Sequence, residues 1–128
     1  MNPFRQLKRY LIYKLKFKKN IDRLFNDFDN LDIDEIFKYF NCNKATELEK
    51  NQSIGHGYSK FYENHLDFFK NKKINILEIG SFAGASAASF VKYFPLATIY
   101  CLDINLTNFK FISKNIKTFG LDVSKKSR

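Results

Sequence analysis

Cysteine is scarce in this sequence, long apolar runs are missing, and the first twenty residues contain no acid. Each absence removes a class of protein. The two cysteines, Cys42 and Cys101, lie far apart without CxxC spacing. That argues against a disulfide framework or a zinc site and suits two unpaired thiols in a reducing compartment. No apolar run approaches the roughly 18 residues that a membrane-spanning helix needs. Lysines interrupt the N-terminus throughout, so it lacks the apolar stretch of a signal peptide. A cytoplasmic protein is the default expectation. Aromatics, by contrast, are plentiful: Phe 15 and Tyr 7 in 128 residues, with 45% hydrophobic residues in all. Such a chain can bury enough apolar surface to offset chain entropy, so one folded domain is expected rather than disorder.

The net charge of +9 is unevenly placed. Arg5, Lys8, Arg9, Lys14, Lys16, Lys18 and Lys19 put seven positive charges in the first twenty residues, leaving +2 for the other 108. In the same stretch Phe4, Leu7, Leu11 and Leu15 fall on one face of a helix. Residues 1–20 thus read as a basic amphipathic helix with three uses open to it. Its stripe can pack on the protein's own body, it can lie on an anionic membrane surface at the inner face of the membrane, or, least favoured, it can bind nucleic acid.

Residues 21–40 reverse the charge. Asp22, Asp27, Asp29, Asp32, Asp34 and Glu35 alternate with apolar residues such as Ile21, Phe28, Ile33 and Phe37. Counted from Asp27 as a calcium loop, the sixth position is Asp32 instead of glycine and the twelfth is Lys38 instead of glutamate. The calcium pattern fails. These acids are expected to be helix caps and solvated faces turned toward the basic helix. Residues 41–55 read as a polar loop. After it, Ser59 is placed to N-cap a helix with Phe61, Tyr62, Leu66 and Phe69 on its apolar face, ending near residues 71–73.

The next thirty residues are the most informative. Residues 74–79 (INILEI) form a short β-branched run suited to a buried parallel strand. Gly80-Ser81-Phe82-Ala83-Gly84 follows at once, then a small-residue-rich helix that Pro95 terminates, then a strand from Ala97 to Leu102 ending at Asp103. Strand, glycine loop, helix, strand and terminal acid make a βαβ unit. The helix N-terminus offers free N–H groups and partial positive charge, and an acid 23 residues after Gly80 is placed to grip ribose hydroxyls. A dinucleotide fingerprint begun at Gly80 would need glycine where Phe82 stands. The pattern present is Glu78-x-Gly80-x-x-x-Gly84, whose acid suits a cofactor bearing positive charge. A βαβ element that binds nothing is the plainer alternative.

LEIGSFAGASAASF followed by IYCLDIN resembles motifs I and II of class I S-adenosylmethionine-dependent methyltransferases. The upstream HGYSKFYE is similar to the segment preceding motif I in a subgroup found with sugar, macrolide and cell-surface polysaccharide pathways. The resemblance covers roughly residues 44–122. It implies an α/β fold: an incomplete Rossmann-like parallel sheet preceded by an N-terminal helical region. It also implies S-adenosyl-L-methionine as cofactor, held by Glu78, Gly80, Ser81, Phe82, Gly84, Ser86, Asp103 and Tyr58. Glu78 would help hold the methionine ammonium, Gly80 to Gly84 would pass under the methionine and ribose, and Asp103 would take the ribose hydroxyls. His56 and Tyr62 are further candidates to line the pocket. Two departures are Phe82, where glycine is common in the superfamily, and Asn105, where a second acid is frequent. In the family the adenine-contacting acid, any metal-binding acids and the general base lie beyond this stretch, so no catalytic residue and no metal ligand is assigned.

Leu106 to Phe119 reads as the next helix, with Asn105 or Thr107 as N-cap, Phe109, Ile112, Ile116 and Phe119 as its apolar face, and Gly120 as C-cap. Three regions result: 1–20, the basic helix; 21–70, a helical lead-in with HGYSKFYE; and 71–128, a partial cofactor domain expected to stop before its third strand. Two functions compete. The first is the N-terminal portion of a methyltransferase, an O-methyltransferase for a sugar or other small hydroxyl acceptor. It would work with a complementing C-terminal chain or as a homo-oligomer, and the isolated chain is expected to be inactive. The second is a non-catalytic remnant that binds a membrane or partner.

Overall fold

The computed structural model describes residues 2–48 and 53–125. Met1, residues 49–52 within the expected loop, and the tail 126–128 lie outside them.

Asn2 opens α1 (Pro3–Leu15) by accepting the Phe4 N–H at 3.0 Å, and Pro3 stands in the first turn, where its missing N–H costs nothing. There follow β1 (Lys19–Asn20), α2 (Ile33–Tyr39), the antiparallel pair β2 (Glu47–Leu48) and β3 (Ser53–Ile54), and α3 (Ser59–Leu66). Then come β4 (Asn75–Ile79), α4 (Ala85–Tyr93), β5 (Thr98–Asp103), β6 (Phe111–Ile112) and β7 (Ile116–Gly120). The order β4-β5-β7 makes a parallel sheet, with Glu78 level with Cys101 and Thr118, and Ile79 level with Leu102 and Phe119. This is an α/β, Rossmann-like arrangement.

Side chains alternate across the sheet, so its two faces differ. On one face Ile99 and Cys101 are fully buried beneath α4. Ala87 and Ala88 are buried there too, and their small side chains let the helix sit close. Beyond α4, α2 and α3 add an aromatic layer in which Phe37, Tyr62 and Phe90 meet with ring centroids 5.5 to 5.9 Å apart. On the opposite face Leu77 and Ile79 are 62% and 63% exposed, and among the described residues β4 has no strand on its outer side. That face and that edge are bare.

Several expectations need correction. Residues 106–119 are not a helix. A single 3-10 turn at Leu106–Asn108, capped by Asn105, leads through buried Phe109 to β6, which pairs with β1, and then to β7. The spacing of Phe109, Ile112, Ile116 and Phe119 fits a helix, but β-branched Ile112, Ile116 and Thr118 favour extended backbone and β5 offers an unpaired edge. Sheet pairing wins, a third strand forms, and Gly120 ends it opposite Asp103 rather than capping a helix.

Ser59 is not the N-cap of α3. Tyr58 holds that position, and the Ser59 hydroxyl donates to Asp34 instead. Nor does the apolar stripe of α1 pack on the body. No residue of α1 is buried. The helix is held from its other side: Arg9 Nη1 donates to the Ile104 carbonyl at 3.2 Å, Tyr13 Oη meets Thr118 Oγ1 at 2.7 Å, and Lys16 Nζ donates to the Thr107 carbonyl at 2.9 Å. The acids of residues 21–40 act locally. Asp32 and Glu35 form a capping box, Asp22 accepts from Ser113 Oγ and the Lys114 N–H, and among the described residues no ion pair joins any acid to α1.

Candidate functional site

At the C-terminal end of β4, Glu78 points toward α4, and its side chain is only 11% exposed. The Ser86 hydroxyl donates to Glu78 Oε1, and Lys44 Nζ lies 3.5 Å from the same oxygen. Glu78 Oε2 is buried and has no hydrogen-bond partner. A buried carboxylate oxygen without a donor is costly and marks a place where a donor is wanted.

The loop after β4 is conformationally unusual. Gly80, Phe82 and Gly84 all have positive φ, at 80°, 42° and 80°. The two glycines use that freedom differently. A Cβ on Gly80 would meet nothing within 4 Å, so this residue faces open space. A Cβ on Gly84 would come within 2.6 Å of the Phe109 ring, so this residue is required by packing as well as by φ. Phe82 is the strained member, since an L side chain rarely takes this conformation. Its N–H donates to Asp103 Oδ2 at 2.8 Å, which ties the loop to the end of β5, and its ring is 65% exposed. Asp103 Oδ1 accepts the Asn105 N–H at 2.8 Å. Each Asp103 oxygen accepts one bond and keeps a further lone pair for hydroxyl donors.

α4 begins without a side-chain cap, because Gly84 is its N-cap residue. Its first N–H groups therefore open onto the loop. A cleft of about 470 Å³ runs past Asn43, Lys44, Gly80, Ser81, Phe82, Ser86 and Lys110. A groove along the free edge of β4 adjoins it, lined by Tyr62, Leu66, Phe69, Ile76 and Glu78. Lys44 and Gly80 line both. Burial pushes the Tyr62 hydroxyl up, with the charge of Lys44 acting against it. Burial likewise raises the Cys101 thiol to about 12, which makes it an inert packing residue.

Glu78, Gly80, Ser81, Phe82, Gly84, Ser86 and Asp103, all singled out from the sequence, thus converge around one loop. Tyr58 does not join them. Its ring stacks on His56 with centroids 5.4 Å apart, neither ring lines the cleft, and the link to the site is its N–H donated to the Lys44 carbonyl at 2.9 Å. Sequence reasoning missed Lys44 and Lys110. Lys44 lies in a polar segment without periodicity, and only the three-dimensional pairing with Glu78 distinguishes it. Among the described residues no three His, Cys, Asp or Glu side chains converge as a metal site.

No protein-family model matches the chain. The ribosomal RNA small subunit methyltransferase G of Malacoplasma penetrans (strain HF-2) is 32% identical over 81 residues, covering 60% of this chain and 33% of that protein. The MycE methyltransferase from the mycinamycin biosynthetic pathway, solved in complex with Mg, SAH and mycinamycin VI, superposes with a TM-score of 0.58 at 23% identity. That superposition covers 72% of this chain and 25% of the enzyme, and a second crystal of it with Mg and SAH gives the same values. The chain therefore spans about a third of the curated relative and a quarter of the solved enzyme. In its motifs, its relative and its fold, the chain is similar to the class I S-adenosylmethionine-dependent methyltransferases.

Proposed function

We propose that this chain is the cofactor-binding part of a methyltransferase that uses S-adenosylmethionine. The observation that carries this reading is the orphaned Oε2 of Glu78. The cofactor presents an amino-acid head with an ammonium and a carboxylate, a ribose with two hydroxyls, and no phosphate. Glu78 Oε2 would take the ammonium, Lys44 Nζ the carboxylate beside it, and the spare lone pairs of Asp103 the ribose hydroxyls. Open space over Gly80 lets the ligand approach the backbone. When bound, the cofactor supplies the methyl group on its sulfonium, and this chain's residues position it.

The test is an amide-shift titration with S-adenosylhomocysteine up to millimolar concentration, so that weak binding still registers. Shifts centred on residues 78–86 and 103, lost in Glu78→Gln, are expected. Unperturbed amides at the highest concentration would refute the reading.

For the acceptor, O-methylation of a sugar or other small hydroxyl compound is supported by the HGYSKFYE segment and by the likeness to an enzyme solved with mycinamycin VI. A ribosomal RNA acceptor is the second reading, favoured by the 32% identical relative and by the charge of +9. Mobility shifts with a ribosomal RNA stem, set against saturation-transfer NMR with a macrolide glycoside, separate the two. RNA retention that survives about 0.15 M salt would sink the small-acceptor reading. The bare edge and face of β4 are where the rest of such an enzyme would pack, whether farther along the same polypeptide or on a complementing chain.

A further inference from the structure

α1 is attached with its polar side inward. At about 100° per residue, Gln6, Arg9 and Tyr13 occupy one side of the helix, and Phe4, Leu11 and Leu15 the opposite side. The half-buried residues are those of the first set. The second set is exposed: Phe4 at 80%, Leu11 at 49% and Leu15 at 86%, continued by Phe17 at 88%. An ordinary surface helix has the reverse orientation, with its stripe against the core and its charges in water.

The attachment leaves cations around that stripe. Lys8 and Lys14 flank it and are exposed, with Arg5 beside them. Lys18 folds back so that its Nζ donates to the Lys16 carbonyl at 3.1 Å and to the Tyr13 carbonyl, closing the C-terminal end of the helix. No acid lies within the first twenty residues, and among the described residues no ion pair joins an acid to α1, although Asp122 lines the groove beneath it beside Arg9 and Lys14.

We propose that α1 docks the protein on an anionic lipid surface, with Phe4, Leu11, Leu15 and Phe17 entering the acyl boundary while Arg5, Lys8 and Lys14 meet headgroup phosphates. Charge complementarity selects an anionic surface, and the outward stripe selects lipid over RNA. Phosphate on a nucleic acid attracts the lysines but gains nothing from exposed leucine and phenylalanine. The proposal does not depend on the cofactor reading, because none of these residues touches the Glu78–Asp103 site.

The test is flotation of the full chain with phosphatidylserine–phosphatidylcholine vesicles and with phosphatidylcholine alone. Binding to the anionic vesicles only, falling with salt, is expected. The double variant Leu11→Asp/Leu15→Asp should weaken partition by at least about tenfold, since it removes two exposed apolar anchors that the bilayer would bury. Circular dichroism should show it folded, because both sites are exposed. Lys8→Glu/Lys14→Glu should weaken it as well. The proposal is overturned if neither vesicle binds, or if the leucine variant binds as well as the parent. It is also overturned if a ribosomal RNA stem displaces the vesicles without regard to the leucines, or if sedimentation shows a dimer that the leucine variant dissolves.

Discussion

α4 and α1 are both short helices, yet seven of the nine residues of α4 are buried and none of the thirteen of α1. The two are held by different physics. α4 is fixed by apolar packing between the sheet and α2, whereas α1 buries no residue and is tied on by side-chain hydrogen bonds that include those of Arg9, Tyr13 and the C-cap Lys16, with the Tyr13 ring against the core. Burial specifies position through shape, and a few polar tethers specify it through directed bonds that water competes for. Disturbing α4 should therefore unfold the domain, and disturbing α1 should only loosen α1.

The hardest test of that contrast is Phe90→Ala, which removes the ring shared by Phe37, Tyr62 and Phe94. Urea unfolding should show a loss of about 3–5 kcal/mol, enough to prevent folding of a marginal domain. Gly84→Ala comes next, at about 2–4 kcal/mol, because the new methyl meets the Phe109 ring and φ is positive. Gly80→Ala shares only the φ cost, about 1–2 kcal/mol, so equal losses at the two glycines would contradict the packing role given to Gly84.

The buried half has a polar staple of its own, which limits the contrast. Partial burial alone would raise the Asp34 carboxyl, but hydrogen bonds from Ser59, Lys38 and Thr46 outweigh it and hold the pKa at about 2. A carboxylate with a folded-state pKa below its unfolded value stabilises the protein above the unfolded pKa of about 4, and the contribution is lost as pH falls through the folded value. Thermal midpoints of the parent should fall between about pH 4 and pH 2 more steeply than those of Asp34→Asn. The smallest effect should come from Tyr13→Phe, which breaks the bond to Thr118. Global stability should drop by no more than about 0.5–1.5 kcal/mol, while amide exchange speeds up in α1 alone.

The same division governs what the sequence discloses. β4, α4 and β5 were legible because period, glycine and Pro95 all punctuate the same unit, and the residues of the loop and Asp103 came with it. The stretch 106–119 was not, because its apolar spacing suits either a helix or a strand and the deciding partner is the far edge of β5. α1 was legible as a helix but not in its orientation, since the bonds of Arg9, Tyr13 and Lys16 go to residues about ninety positions away or more. Lys44 was hidden for the same reason. Local pattern reports what a segment prefers, and long-range bonds decide where it is placed.

The uncovered face of β4 would make the stability of this chain a mass-action quantity in the presence of anything that binds it. Whatever covers Leu77 and Ile79 in the folded state but not in the unfolded one adds its binding free energy to folding. Were a segment or chain that covers that face added, melting temperatures should climb with its concentration.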